Sequence, residues 1–285
     1  MDTVGVQSWE IHRLRQNRLE EAVDDLAVEE PLEIQVEWGP ENARKKQSLS
    51  ITMRTPGADA DLALGFLFTE GIIRNPGDVT YINHVPAFPG SPAENNQILV
   101  RLHPDVLFAP AKLERHFYTT SSCGVCGKTS LEALHTVSPL QQTEVRTLKT
   151  DIPLLLSLPD KLRAVQDTFQ STGGLHGCAF FHTNGDLIAS REDVGRHNAL
   201  DKLIGHCLKA GNDMRESILL LSGRASFELM QKAAMAGVPV VCAVGAPSSL
   251  AASVAADFQM ALIGFLREDR FNVYHLPSNI EIIHS

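Results

Sequence analysis

Positive charge is in short supply. The 285 residues carry 25 Lys and Arg against 34 Asp and Glu, a formal net charge of −9. That argues against a broad nucleic-acid face and a surface for anionic lipid, both of which need clustered basic residues, while leaving room for local basic sites. Long apolar runs are lacking too: no segment reaches the roughly 18 apolar residues of a membrane-spanning helix. The opening stretch MDTVGVQSWEIHRLRQNRLEEAVDDLAVEE holds no apolar core of the kind a secretory signal requires. With only five cysteines there is no disulfide scaffold, and thinly spread cysteine fits a reducing compartment. A cytoplasmic protein is expected. There is no internal repeat and no low-complexity tract. Neither the phosphate-loop pattern GxxxxGK[ST] nor the fingerprint GxGxxG occurs, so ATP hydrolysis and simple dinucleotide binding are not indicated.

What is present is an ordinary globular composition, 44% hydrophobic and 21% charged. The length allows one large domain or two modest ones, and the change of character near residue 112 suggests a division into 1–112 and 113–285. After a charged N-terminal arm, PLEIQVEW and QSLSITMRT alternate as strands about the turn-rich GPENARKK, predicting a hairpin. A helix is expected from Asp59 or Asp61 to Gly71, then strands near Val79–His84 and Gln97–Leu102. Further on, LPDKLRAVQDTFQSTGG reads as one helix stopped by a glycine pair. In CAFFHTNGDLIASRED, Asn184 and Gly185 separate two β-like runs, a strong hairpin signal. Helical and strand-like segments then alternate to the end. The expectation is an α/β protein, α+β overall. A small N-terminal α+β unit precedes a three-layer C-terminal unit whose mixed sheet is antiparallel at the hairpin and otherwise mainly parallel.

The sharpest chemical feature is TTSSCGVCGKTSLEAL, with Cys123 and Cys126 three apart ahead of a short helix expected from Thr129. A thiolate is the reactive form of cysteine, and a helix N-terminus lowers a thiol pKa by favouring the anion. Gly124 and Gly127 let the backbone approach closely, and Lys128 supplies a nearby positive charge. A structural zinc site would need two further ligands, yet there is no second CxxC and no HxxxH. A dithiol redox pair stays open, although Gly-Val between the cysteines differs from thioredoxin-like pairs. A nucleophilic carrier fits better.

A second cluster is STGGLHGCAFF, with His176 and Cys178 at the entry to a buried strand. A zinc deaminase would carry HxE there with a later PCxxC. This chain reads His-Gly-Cys with no PCxxC, so deamination is disarmed, and Cys178 reads most simply as a small core residue. The run REDVGRHNALDKLIG crowds Arg191, Glu192, Asp193, Arg196, His197, Asn198, Asp201 and Lys202 at a strand-to-helix junction. Such runs often only cap helices and pair in solvent, but open parallel sheets bind ligands beyond their strand C-termini, where helix N-termini accept anions. LSGRASFE and VGAPSSLA have the same strand–glycine–serine–helix layout, and Arg224, Arg267 and Arg270 offer forked donors to phosphate or a guanine edge.

The segments EEPLEIQV, LALGFLFTEGII, SSCGVCGK, TGGLH, REDVGRHNALDK, SGRASFE, KAAMAGVPV and GAPSSLA, in this order, resemble the formate dehydrogenase accessory sulfurtransferase family, FdhD, from about residue 29 to 276. The resemblance implies a sulfur carrier that takes sulfur from a cysteine desulfurase as a cysteine persulfide. It delivers that sulfur to the molybdenum cofactor, bis(molybdopterin guanine dinucleotide), destined for formate dehydrogenase. By motif the persulfide falls on Cys123, with Cys126 as second thiol. The cofactor-binding stretch maps to Phe265, Leu266, Arg267, Glu268, Asp269 and Arg270, with GDP as a mimic of the bound acceptor. Arg196, Arg224, His176, Asp193 and His197 join the candidate cofactor-binding set. A cytidine-deaminase-like C-terminal unit and a homodimer are also implied. Two other readings remain: a non-catalytic chaperone of cofactor or apo-enzyme with a structural CxxC, and a dithiol sensor.

Overall fold

The computed structural model describes residues 5–86, 95–108 and 147–284. The expected cysteine loop and the helix from Thr129 lie outside these residues. Six α-helices are described, together with four sheets of two, six, two and four strands.

The N-terminal arm is itself a hairpin, which the sequence reading missed. Strands β1 (Val6–Arg15) and β2 (Arg18–Ala27) pair antiparallel through a two-residue turn at Gln16 and Asn17, both at positive φ (46° and 60°). Turns of this hand match the right-handed twist of flanking strands. The hairpin hid because both of its faces carry charge, leaving no clean alternation to read.

The expected hairpin of β3 (Glu30–Trp38) and β4 (Lys45–Arg54) is present. It is joined by β6 (Gln97–Leu102) and β5 (Val79–His84) in the order β4-β3-β6-β5. One face of this sheet is apolar by period-two alternation: Leu32, Ile34 and Val36 with Ile98, Val100 and Leu102, all fully buried. Helix α1 (Asp59–Thr69) covers that face.

The largest sheet runs β13-β12-β11-β10-β8-β9, comprising β8 (His176–His182), β9 (Leu187–Asp193), β10 (Ser217–Leu221), β11 (Val240–Ala243), β12 (Ala261–Gly264) and β13 (Asn272–His275). Parallel pairing is confined to β10-β11-β12, so the expectation of a mainly parallel remainder is corrected. β13 returns antiparallel because only a short turn joins it to β12, and a parallel return needs a crossover of a dozen or more residues. β8 also runs antiparallel to β10. The central strands are apolar on both sides, as in SILLL of β10, because both sheet faces are covered. On one face lie α4 (Arg196–Ala210), α5 (Phe227–Met235) and α6 (Ser249–Asp257); on the other lie α2 (Ile152–Arg163) and a two-stranded pairing of β7 (Leu148–Asp151) with β14 (Ile280–Ile283).

The single helix expected over LPDKLRAVQDTFQSTGG is two. α2 begins earlier, at Ile152, where the Asp151 carboxylate accepts the Leu154 N–H at 2.7 Å and a proline occupies the first turn. The chain breaks after Arg163 and resumes as α3 (Asp167–Thr172), ended by Gly173 in the left-handed region (φ 66°).

One core cluster runs without interruption from the four-stranded sheet through α1, α4 and α5 to the large sheet. The joint is a crossing of α1 on α4 at Gly65 and Gly205. A Cβ on Gly65 would lie 1.9 Å from the Asp201 carbonyl oxygen, and one on Gly205 would lie 1.9 Å from that of Asp61. Only glycine permits this backbone-on-backbone approach. Beside it, Lys232 is buried against Asp201 at 2.9 Å, and Asp201 accepts the Thr69 hydroxyl at 2.8 Å.

Candidate functional site

A cleft of about 1080 Å³ opens at the edge of the large sheet where the parallel strands end. β10 contributes Ser222 and Gly223 just past its C-terminus, β11 contributes Val244, and β12 continues into Leu266–Arg270. Because β8 runs against β10, its first residue, His176, arrives at the same edge. α2 supplies Asp160, Leu162 and Arg163, and α3 and its exit supply Phe169, Gly173, Gly174 and Leu175. The cleft therefore sits where strand C-termini meet loops, the usual place for a ligand in an open sheet with parallel strands.

Backbone bonds lace these strand ends together. Gly177 and Ser222 exchange bonds, Gly177 N–H to Ser222 Oγ and Ser222 N–H to Gly177 carbonyl, both at 2.9 Å. Gly245 N–H reaches the Gly223 carbonyl at 2.8 Å, and a Cβ there would sit 2.9 Å from Arg224 N, so the loops after β10 and β11 touch through glycine. Phe265, at φ 53°, donates its N–H to Gly245 at 3.1 Å. Arg267 N–H closes the turn onto the Arg270 carbonyl at 2.9 Å. Its guanidinium Nη1 donates to the carbonyls of Val244 (2.6 Å) and Leu266 (3.0 Å), so this side chain clamps the loop as well as lining the cleft.

Of the residues singled out from sequence, His176, Leu266, Arg267, Glu268, Asp269 and Arg270 line the cleft together. Phe265 turns beside it, partly exposed, and Arg224 projects into solvent from the loop after β10. Asp193 is fully buried: its carboxylate pairs with Lys202 at 2.7 Å and accepts N–H groups from Thr55 (3.2 Å) and Gly195 (2.8 Å). It fastens the start of α4 to the N-terminal half. Arg196 opens α4, and His197 stands 3.8 Å from the Glu228 carboxylate. Burial, then the charges of Lys232 and Arg196, push the His197 imidazole down to about 4. Burial and the Arg196 charge likewise lower His176, against a smaller opposing effect of Asp193, so a neutral imidazole faces the cleft at neutral pH. Sequence reading missed the wall made by α2 and α3, namely Asp160, Arg163 and Phe169; the glycine pair before His176 was its one local signal.

With guanidiniums of Arg163, Arg267 and Arg270 set among carboxylates of Asp160, Glu268 and Asp269, the cleft suits a large polar ligand. Anionic groups would meet the arginines, and hydrogen-bond donors would meet the carboxylates.

The three described cysteines, Cys178, Cys207 and Cys242, are all free and buried. Burial pushes the Cys178 thiol far up, that of Cys207 to about 11 and that of Cys242 to about 12. All three stay protonated and inert at neutral pH, as the core reading of Cys178 anticipated. The remaining two of the five, Cys123 and Cys126, lie outside the described residues.

The model of the FdhD/NarQ family matches residues 27–281. This chain belongs to the FdhD/NarQ family. Among FdhD/NarQ relatives, the sulfur carrier protein FdhD of Streptomyces avermitilis is 46% identical over 267 residues, covering 92% of this chain and 91% of the relative. The sulfur carrier protein FdhD of Mycobacterium tuberculosis is 46% identical over 257 residues, covering 88% and 90%. The one from Picrophilus torridus is 43% identical over 262 residues, covering 90% and 92%. The fold is also that of a protein from Desulfotalea psychrophila described as a formate dehydrogenase accessory protein. The TM-score is 0.71 at 22% identity, covering 97% of this chain and all of the other. No helix among the described residues is long and apolar enough to cross a membrane.

Proposed function

We propose that this FdhD/NarQ chain is a sulfurtransferase of the carrier type, working in the cytoplasm as a homodimer and carrying a persulfide on Cys123. The observation that carries the reading is the fate of the five cysteines: three are buried thiols held protonated, leaving the CxxC pair as the place where a thiolate can act. Relatives named sulfur carrier proteins support the class of chemistry.

In the proposed loading step, the Cys123 thiolate attacks the outer sulfur of a persulfide on a cysteine desulfurase. A new S–S bond forms at Cys123, the donor S–S bond breaks, and the donor cysteine leaves as thiolate. Delivery as sulfide consumes two electrons: the Cys126 thiolate attacks the Cys123 sulfur, hydrosulfide departs, and a Cys123–Cys126 disulfide remains for a cytosolic dithiol to reduce. The acceptor is the bis(molybdopterin guanine dinucleotide) molybdenum cofactor used by formate dehydrogenase. It binds in the cleft at the carboxyl edge of the large sheet, with GDP occupying part of the same site. Arg163, Arg270 and the unclamped nitrogens of Arg267 meet its phosphates there, and neutral His176 offers a hydrogen bond without adding charge. The C-terminal unit, from residue 113, is of the cytidine-deaminase type in this reading, with its deaminase chemistry removed.

Mass spectrometry after incubation with desulfurase and cysteine tests the reading. One added sulfur on Cys123, absent in Cys123→Ser, is expected. A Cys123→Ser protein that still activates formate dehydrogenase, or stoichiometric zinc on the cysteine pair, would overturn it in favour of a chaperone.

A further inference from the structure

The β1–β2 hairpin is poorly explained by the fold that carries it. A two-stranded hairpin is marginal in water unless a face is covered. Among the described residues its attachment is limited to the end near Ala27: Val28 N–H bonds the Gly5 carbonyl at 2.9 Å, the methyl of Ala27 lies within reach of Gly174, and β2 packs against α3. Beyond that end, large apolar side chains stand in solvent on both faces. Leu14 (65% exposed) and Leu19 (70%) oppose one another across the strands, with Val23 (62%) on the same side and Trp9 and Leu26 on the other. Charge along the hairpin is also uneven, because β2 carries Glu20, Glu21, Asp24 and Asp25.

A complementary surface exists on the same chain. Among the described residues, β4 is an edge strand of the four-stranded sheet, paired on one side only. It has no carboxylate, begins with exposed Lys45 and Lys46, and exposes Ile51 (70%). Among the described residues, neither lysine has an ion-pair partner. An unpaired edge of this kind is a template for an incoming strand. The spacing agrees in either direction. Parallel alignment sets Glu20 and Glu21 beside Lys45 and Lys46 with Leu26 beside Ile51. Antiparallel alignment sets Asp25 and Asp24 there with Leu19 beside Ile51.

We infer that the β1–β2 hairpin docks on the β4 edge of a second copy of this chain, extending its four-stranded sheet. A two-fold dimer makes this contact twice, since each copy presents one hairpin and one edge. The inference gives a surface to the homodimer of the preceding section and does not depend on the sulfur chemistry.

The test is the oligomeric state of the full-length chain, read by light scattering and sedimentation across micromolar concentrations. Wild type is expected to be dimeric and to loosen as salt rises. Reversing the hairpin charges (Glu20→Lys, Glu21→Lys, Asp24→Lys, Asp25→Lys) should raise the dimer dissociation constant about a hundredfold, and so should reversing the edge (Lys45→Glu, Lys46→Glu). Mixing the two variants should restore a dimer, because each hairpin then meets an edge of opposite charge; a misfolded variant would not recover in this way. Three results overturn the inference. A dimer that persists in either variant keeps the homodimer but assigns it to another surface. A mixture that stays monomeric removes the pairing. A monomeric wild type removes both pairing and homodimer, and should its hairpin instead be needed to bind the desulfurase, the occupant is that partner.

Discussion

Replacing Gly205 by alanine sets two large effects against each other. Gly205 lies in the interior of α4, where alanine is favoured over glycine by about 1 kcal/mol of helix propensity. Helix propensity alone therefore predicts a more stable protein. The crossing predicts the opposite, because the new methyl carbon would sit 1.9 Å from the Asp61 carbonyl oxygen and 2.8 Å from Gly65 N. Both obstacles are backbone, so no side chain can rotate aside, and α1 must move away by more than about 1 Å to reach ordinary contact. That movement pulls Thr69 on α1 from Asp201 on α4, now 2.8 Å apart, and disturbs the buried Asp201–Lys232 pair. Overpacking of this kind costs about 1–3 kcal/mol, and more where the backbone must shift. The net expectation is a loss of about 2 kcal/mol, a fall in Tm of about 4–8 °C for a chain of this size. Urea and thermal denaturation of Gly205→Ala measure it, with Gly65→Ala as the reciprocal case. The double variant should lose less than the two single losses together, because the helices have already separated. An unchanged or raised Tm for either single variant would refute the close crossing.

Lys202→Met leaves the Asp193 carboxylate buried without its cation, and a loss of about 3–5 kcal/mol in urea denaturation is expected, part of which Asp193→Asn in the same chain should recover. For His197, the folded-state value of about 4 lies below the usual 6.5, so the unfolded chain binds the extra proton first. Its contribution to stability is complete above about pH 6.5 and lost as pH falls towards 4, so His197→Gln should flatten the stability profile in that window and the NMR titration of His197 should have its midpoint near 4. Arg270→Ala should weaken GDP binding about tenfold or more by calorimetry, with a shallower salt dependence. Arg267→Ala should also lower the thermal stability of the turn it clamps, whereas Arg270→Ala should not.

The parts of the fold legible in the sequence are those with local signals strong enough to survive tertiary packing. Alternation marked β3, β4, β5 and β6, Asn184-Gly185 marked the β8–β9 turn, and a glycine pair marked the end of α3. The break between α2 and α3 has no such mark, because residues 164–166 suit a helix and the interruption comes from packing. The orientation of β8 against β10 and of β13 against β12 is likewise a tertiary choice. At the site, glycine- and serine-rich junctions showed which sheet edge would open. They did not show that α2 and α3 form the opposite wall, since nothing local in Asp160 or Phe169 distinguishes them from other helix residues. The REDVGRHNA run was ambiguous for the reverse reason: Asp193 looks solvated in sequence, yet the fold buries it completely against Lys202.

The pairing of β14 with β7 ties residues at the far end of the chain to the point where the cysteine-bearing stretch rejoins the described structure. On the upstream side, Phe108 meets Trp38 edge to face, with ring centroids 4.8 Å apart. Both attachment points of the CxxC stretch are therefore fastened to sequence that lies far from it. A fusion or trimming behind residue 280 would loosen one of those moorings, and so could disturb sulfur loading without touching either thiol. Affinity tags are better placed elsewhere.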